Sequence, residues 1–304
     1  MSVIYRPRTE SQGSSCLCGP RQVMKNLSVS HFDLADTLGC GQTFCWTREG
    51  RGYVNADIGQ VLYVEQEGNT LLYETSAGDV DVGALLGLAD PVDEIQRAVA
   101  KDDLMSRSIG FAPGLHIVRD PFFPCLISFL CSIRNNIPNI NRMAQNIRNR
   151  YGPSYRFRGR EVHGFPNPEQ MSKVTADNLR AFGLDWRSEF IVRSTASVLN
   201  GEVAEQALKK MEYGEAHETL KTLYGVGDKV ADCVCLFSLG FLEAFPIDVW
   251  IERVIEQQYG LFTKTGKSYA KKSVAAREYF GRYAGYAQEY LYYYTRTGGT
   301  KPKR

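Results

Sequence analysis

Lys229 and Asp248 are the two residues whose types and places suggest covalent chemistry. Lys229 follows a Gly225-Val226-Gly227 turn and falls in the first turn of the helix beginning near Asp228. A helix start carries partial positive charge, so a cation is disfavoured there. An amine held there and partly desolvated releases its proton more readily and becomes a nucleophile. A lone lysine in this place would equally serve as a phosphate contact or an ordinary exposed side chain. Asp248 stands in Phe245-Pro-Ile-Asp-Val-Trp250, just after a proline, at another helix start. It is placed to cap that helix. A capping carboxylate can also face a cleft and stabilise positive charge developing on a sugar.

The elements that position the lysine read as a helical hairpin over 216–239, one helix to Leu223 and a second from about Asp228. The two glycines allow positive φ and close approach of the backbone to a ligand. The N–H groups that open the second helix, including that of Val230, form an anion site suited to phosphate. An αα-hairpin with a glycine C-cap has the same local pattern. Cys233, four residues after Lys229, shares its helix face.

Elsewhere the hydrophobic period divides the chain. Residues 53–75 alternate apolar and polar positions and break at Gly59 and at Gly68-Asn69, which predicts an antiparallel meander. From Phe122 the period is helical, with segments at 122–133, 140–151, 175–182, 187–200, 203–211, 216–223, 229–239, 248–259 and 268–294. The fold class expected is α+β: a β-rich N-terminal domain over 1–117, then an all-helical domain over 118–304 containing the hairpin.

The 304 residues, 43% hydrophobic, suffice for a sizeable core. No apolar run is long enough to span a membrane, and the polar N-terminus has no secretory h-region. Eight cysteines without an even framework suit reduced thiols inside a cell. Cys16 and Cys18 with Cys40 and Cys45 could suggest zinc, but Cys-x-Cys is poor metal spacing and only His31 lies near. Residues 1–115 hold 9 Lys/Arg against 15 Asp/Glu, and residues 116–304 hold 27 against 19. Six arginines and no acid fall between Asn141 and Arg160, a stripe that is either a phosphate-neutralising surface or a solvated basic face. The terminal Lys301-Pro-Lys-Arg304 reads as a solvated basic tail.

The glycine turn, the following lysine and the Pro-x-Asp together resemble the DNA glycosylase superfamily named for its helix-hairpin-helix, Gly/Pro-rich loop and Asp. Gly225-Val-Gly-Asp-Lys-Val-Ala-Asp-Cys-Val-Cys-Leu236 is similar to the 8-oxoguanine DNA glycosylase/AP lyase family. Three further segments agree: Gly41-Gln-Thr-Phe-Cys-Trp46, Cys131-Ser-Ile-Arg-Asn-Asn-Ile137 and Gly285-Tyr-Ala-Gln-Glu-Tyr-Leu-Tyr292. The likeness runs in order over roughly residues 30–295.

That resemblance implies a bifunctional DNA glycosylase and lyase acting on duplex DNA containing 8-oxoguanine. It implies an intracellular, DNA-associated protein, a monomer, without metal or redox cofactor. The damaged nucleotide is flipped into a pocket. Lys229 attacks the sugar C1′, a Schiff base forms, and β-elimination nicks the strand. Asp248 stabilises the oxocarbenium-like transition state. Gly41 offers a carbonyl to the N7 hydrogen of the oxidised base, Cys233 and Tyr292 sandwich it, and Gln288 reads its pairing edge. Tyr292 lies in an aromatic run that alone would read as core. Gly225, Gly227, Val230 and Trp250 are expected against the backbone of DNA. Arg134, Asn135, Asn136, Trp186 and Arg187 are expected at the lesion gap and the opposite strand. The chain departs from the family at Arg134, where an asparagine is usual, and at Asn139, where some members carry an arginine. These departures imply a relaxed preference for the opposite base. A glycosylase for another oxidised base and a non-catalytic DNA-binding module are the alternatives. An endonuclease III-like enzyme would need four cysteines beyond the aspartate, and the last cysteine here is Cys235.

Overall fold

The computed structural model describes residues 24–301. Cys16, Cys18 and the basic tail beyond Lys301 lie outside the described residues. Five strands form one antiparallel sheet: β1 (Lys25–Ser28), β2 (Trp46–Glu49), β3 (Gly52–Asn55), β4 (Leu62–Glu67) and β5 (Thr70–Thr75), in the order β1-β5-β4-β3-β2. The expected meander is β3-β4-β5, turning at Gly59 and Gly68, both at positive φ. Alternation in β4 sends Leu62 and Val64 into the main core and Tyr63 to the opposite face, as a period of two requires.

That opposite face is covered by a second sheet absent from the sequence expectation. Strands β6 (Ser154–Phe157) and β7 (Arg160–His163) pair as a hairpin. Phe157 packs with Val54, Ala56, Val61 and Tyr63. The hairpin turns on Arg158 and Gly159, φ 49° and 77°. Such a two-residue turn is usually announced by Asn-Gly or Asp-Gly, and here an arginine takes the first place.

Three arginines of the 141–160 stripe bind acids of the N-terminal half instead, while Arg142, Arg150 and Arg156 are exposed. Arg148 is buried and makes a forked contact with Asp57, at 2.9 and 2.5 Å, and donates to the Phe44 carbonyl at 2.7 Å. Arg158 pairs with Glu74 at 2.9 Å and lies 3.6 Å over the Tyr63 ring. Arg160 pairs with Glu49. Half of the stripe thus fastens the helical half of the chain to the acidic sheet.

The N-terminal half is less purely β than its alternation suggests. It also contains α1 (Leu34–Gly39), α2 (Val82–Leu85), α3 (Val92–Val99) and α4 (Asp103–Phe111). Asp33, Asp81 and Asp102 cap three of them with side-chain oxygens, a signal that was present in the sequence. The other helices follow in chain order. They are α5 (Phe122–Cys131), α6 (Ile137–Tyr151), α7 (Pro168–Met171), α8 (Ala176–Arg180), α9 (Arg187–Leu199) and α10 (Glu205–Leu208). Then come α11 (Tyr213–Lys221), α12 (Asp228–Val234), α13 (Val249–Val254), α14 (Tyr269–Phe280) and α15 (Ala284–Arg296). Both α12 and α13 run on into a π-helical turn ending at a left-handed glycine, Gly240 and Gly260. The single helix expected over 268–294 breaks at Gly281, φ +78°.

Every residue of α5 is buried, and this helix packs against α6, α9 and α12 at the centre of the molecule. The last helix, α15, returns to the N-terminal half and packs against α3 and α4 as well as α13 and α14. One continuous apolar cluster joins the sheet to the helices. No helix among the described residues is long and apolar enough to cross a membrane.

Candidate active site in a cleft between sheet and helices

Four distant segments meet at one cavity of about 1120 Å³. The Gly41 turn, the end of α5 with the loop 132–138, the α11–α12 hairpin with residues 246–250, and α15 all line it.

The hairpin is formed by α11 and α12 as expected. Its two glycines have different causes. A Cβ on Gly225 would stand 2.2 Å from Phe190 Cγ, and the residue has φ +90°, so packing against α9 demands glycine. A Cβ on Gly227 would meet nothing within 4 Å. Gly227 is the N-cap of α12, and the open space beside it leaves the first helical N–H groups approachable. Val230 is buried, so its backbone rather than its side chain is what it can offer there. Tyr224, Phe190 and Trp186 form an edge-to-face row, centroids 5.4 and 5.3 Å apart. Tyr224 and Trp186 are each 44% exposed, so the rim of the cleft is aromatic and wet on one side.

Lys229 points from the first turn of α12 onto α5. Its Nζ donates to Ser132 Oγ at 3.0 Å and lies 5.0 Å from the centre of the Phe129 ring. Ser132 and Phe129 were not singled out from the sequence; they belong to α5 and its end, 97 or more positions away. Asp248 is the N-cap of α13: Oδ1 accepts from the N–H groups of Trp250 and Ile251 at 3.0 and 2.8 Å. Burial raises its carboxyl above the usual range, while the Ile251 N–H and the Lys229 charge pull it down. Capping and a place on the cleft are thus combined in one residue.

Cys233 lies one turn beyond Lys229, and burial pushes its thiol up to about 12 against the pull of Lys229. It is therefore a neutral sulfur surface. Gln288, 4% exposed, borders the cavity with Oε1 lacking a hydrogen-bond partner. Gly41 has φ +108°, and a Cβ there would press on Tyr292 at 3.3 Å and on Ile137 at 3.4 Å. The next residue, Gln42, is buried. Its amide donates to the Thr37 and His116 carbonyls and its Oε1 accepts from the Val118 N–H. That side chain ties the Gly41 turn to the segment leading into α5.

The loop 132–138 is built largely from its own polar groups. Asn135 donates to the Cys131 carbonyl at 3.1 Å, and Asn136 caps α6 through the Asn139 N–H at 3.0 Å. Arg134 is exposed with φ 50°, an uncommon left-handed arginine. Arg187 is more deeply placed than Trp186 and Arg134. It is only 7% exposed and does not border the cavity; its guanidinium donates to the carbonyls of Ile133, at 2.8 and 2.6 Å, and Arg134, at 3.0 Å. The strain at Arg134 is thus held in place from behind by Arg187. Trp186 and Trp250 both border the cavity and are partly exposed.

Six cysteines among the described residues are free and buried. His217, Glu218 and Asp228 bring potential metal ligands within 4.8 Å of one another. The Lys221 ammonium already bridges both carboxylates, at 2.9 and 2.8 Å, so the cluster is charge-balanced without an ion.

A five-stranded sheet domain joined to helices, with a lysine at a glycine hairpin and a capping aspartate bordering one cleft, is the arrangement of a lysine-dependent DNA glycosylase. Residues 24–126 match the family model for the 8-oxoguanine DNA glycosylase N-terminal domain. The probable N-glycosylase/DNA lyase of Methanothermobacter thermautotrophicus is 30% identical over 66% of this chain and 69% of its own length. The solved structure of MBOgg1 with a low-affinity DNA ligand is 29% identical, covering 93% of this chain and 98% of that one, with a TM-score of 0.84. The Clostridium acetobutylicum 8-oxoguanine glycosylase/lyase, solved with duplex DNA containing cytosine opposite 8-oxoguanine, is 28% identical over 92% and 99% of the two chains, TM-score 0.81. The chain belongs to the 8-oxoguanine DNA glycosylase/lyase family. It is an enzyme of the DNA N-glycosylase and lyase class and acts in DNA repair on duplex DNA.

Proposed function

We propose that this enzyme excises 8-oxoguanine by attack of Lys229 on the sugar C1′ and then nicks the strand from the resulting Schiff base. The neutral amine of Lys229 forms the new C1′–N bond as the bond to base N9 breaks, and the base leaves with that electron pair. Asp248 stabilises the positive charge that builds on the sugar before the new bond is complete. Loss of the sugar O4′ bond converts the adduct to a Schiff base, and removal of a C2′ proton expels the 3′ phosphate by β-elimination.

The observation that carries this reading is convergence. Lys229 and Cys233 on α12, Gln288 and Tyr292 on α15, Asp248 and Gly41 come from four separate segments and border one cavity. Gly41 supplies a carbonyl that only the oxidised base can satisfy at N7. Cys233 and Tyr292 form the two faces of the slot, and the unpartnered Gln288 Oε1 is available to a base edge. The open hairpin at Gly227 holds the DNA backbone without reading sequence. The chain works as a monomer, its β-rich part to about residue 117 supplying the Gly41 wall and the remainder the catalytic groups. Its opposite-base preference is relaxed, because Arg134 and Asn139 replace the usual asparagine and arginine at the lesion gap. Borohydride trapping on an 8-oxoguanine duplex tests the whole reading. A covalent adduct in the wild type and none in Lys229→Gln supports it; no adduct with 8-oxoguanine but one with another oxidised base would move the substrate.

A further inference from the structure

Arg296 closes α15 one turn beyond Tyr292 and reaches 256 positions back along the chain. Its Nη2 donates to the Cys40 carbonyl at 2.7 Å. Its guanidinium carbon stands 5.3 Å from the centre of the Tyr292 ring. The same Nη2 is 3.6 Å from where a Cβ on Gly41 would lie. One flat cation therefore touches both the turn and the aromatic ring, which border the cavity side by side.

Gly41 is a single flexible residue between two pinned neighbours. Arg296 pins the peptide before it, and the Gln42 side chain pins the peptide after it. With φ +108°, Gly41 has no side chain to restrict it, so these two anchors decide where its carbonyl points. Below the turn, Glu289 is 1% exposed. The ionisable groups around it are Cys40, whose thiol donates to the Thr37 carbonyl at 3.2 Å, Arg296, Asp248 and Tyr292. Burial pushes Glu289 up to about 7, with Cys40 and Arg296 pulling down and Asp248 pushing further up. Oε1 of Glu289, Nε of Arg296 and Oε1 of Gln288 are all buried without a hydrogen-bond partner. All three residues border the cleft, and unpartnered buried polar atoms are rare enough to ask for a functional cause.

We propose that Arg296 is a positioning residue for base recognition: bonded to the Cys40 carbonyl and lying over the Tyr292 ring, it holds the Gly41 turn against that ring, and so fixes the Gly41 carbonyl and the Tyr292 face of the slot that Cys233 closes, with the buried Glu289 carboxyl nearby. The inference rests on the base slot proposed above. It implies that Arg296 governs removal of a base far more than nicking at a site that has none, because an abasic sugar does not enter the slot.

The test compares single-turnover excision of 8-oxoguanine with nicking of a preformed abasic duplex, in the wild type, Arg296→Ala, Arg296→Lys and Glu289→Gln. The ratio of excision to nicking is expected to fall at least tenfold in Arg296→Ala. A smaller loss is expected in Arg296→Lys, which keeps one donor but not the flat face. The ratio in the wild type is expected to change across pH 7 and in Glu289→Gln to lose that inflection. A ratio within twofold of wild type in Arg296→Ala, or a parallel loss of both activities, overturns the proposal. Should Arg296→Ala not fold, the ratio in Arg296→Lys decides. A wild type that nicks abasic DNA yet leaves 8-oxoguanine in place would instead defeat the underlying base assignment.

Discussion

Lys229 donates to the Ser132 hydroxyl at 3.0 Å, a bond between the first turn of α12 and the end of α5 that spans 97 positions of sequence. It aims the amine across the cleft rather than along its own helix. Lys229→Gln keeps a polar, slightly shorter side chain but has no nucleophile. Excision is expected to fall about 10³-fold or more, with no trapped adduct. Ser132→Ala leaves the amine but not its aim. Its trapping rate should fall by about tenfold while the melting temperature holds, checked by borohydride trapping and thermal denaturation.

One pair of variants separates the helix cap of Asp248 from its proposed role at the sugar. Asp248→Asn keeps an oxygen for the Trp250 and Ile251 N–H groups but removes the charge. Stability should hold within about 1 kcal/mol while excision falls roughly 10²-fold or more. Asp248→Ala should lose the cap as well, at about 1 kcal/mol, measurable in denaturant.

The two hairpin glycines are expected to fail in opposite ways. Gly225→Ala drives a Cβ into Phe190 at a backbone angle that L residues avoid, and should cost about 1–3 kcal/mol of stability. Gly227→Ala has room and an ordinary φ of −99°, so stability should change little. On the proposed function its methyl group enters the space that takes the DNA backbone, and affinity for duplex should drop. Melting curves and duplex-binding titrations on both variants give the comparison.

Asp57 and Arg148 form a buried ion pair between the sheet and α6. Asp57→Ala leaves the buried guanidinium without its forked partner. A loss of about 3–5 kcal/mol is expected, read by chemical denaturation.

Asp120 sets a pH dependence of stability. It is fully buried, accepts from Thr43 Oγ1 at 2.6 Å, and burial pushes its carboxyl up to about 7. The folded state therefore keeps the proton that the unfolded chain gives up near its ordinary value of 3.8. Stability contributed by this group is full below that value, falls as pH rises from about 4 to about 7, and levels off above. Asp120→Asn removes the ionisation. Its melting temperature should gain on the wild type as pH is raised from 5 to 8; parallel curves would show that the group does not titrate in this range.

The local structure of the candidate site was legible in sequence wherever it depends on local rules. Gly-Val-Gly-Asp-Lys specifies a turn, a helix start and an amine within five residues, and Pro-x-Asp specifies a capped helix. The meander over 53–75 follows from a period of two, and the later helices from their apolar spacing. What only the tertiary structure decided is which distant groups share a space. Nothing near Arg148 foretells Asp57, and the stripe of arginines looks the same in sequence whether it meets phosphate or a sheet of acids. Arg187 likewise reads as a surface contact until the carbonyls of Ile133 and Arg134 are found behind it. Ser132, Glu289 and Arg296 have no local signal, because their work lies in contacts 97 to 256 positions away. Spacing encodes the direction in which a side chain leaves its own element. The partner it meets depends on how elements stack, which is a property of the whole core.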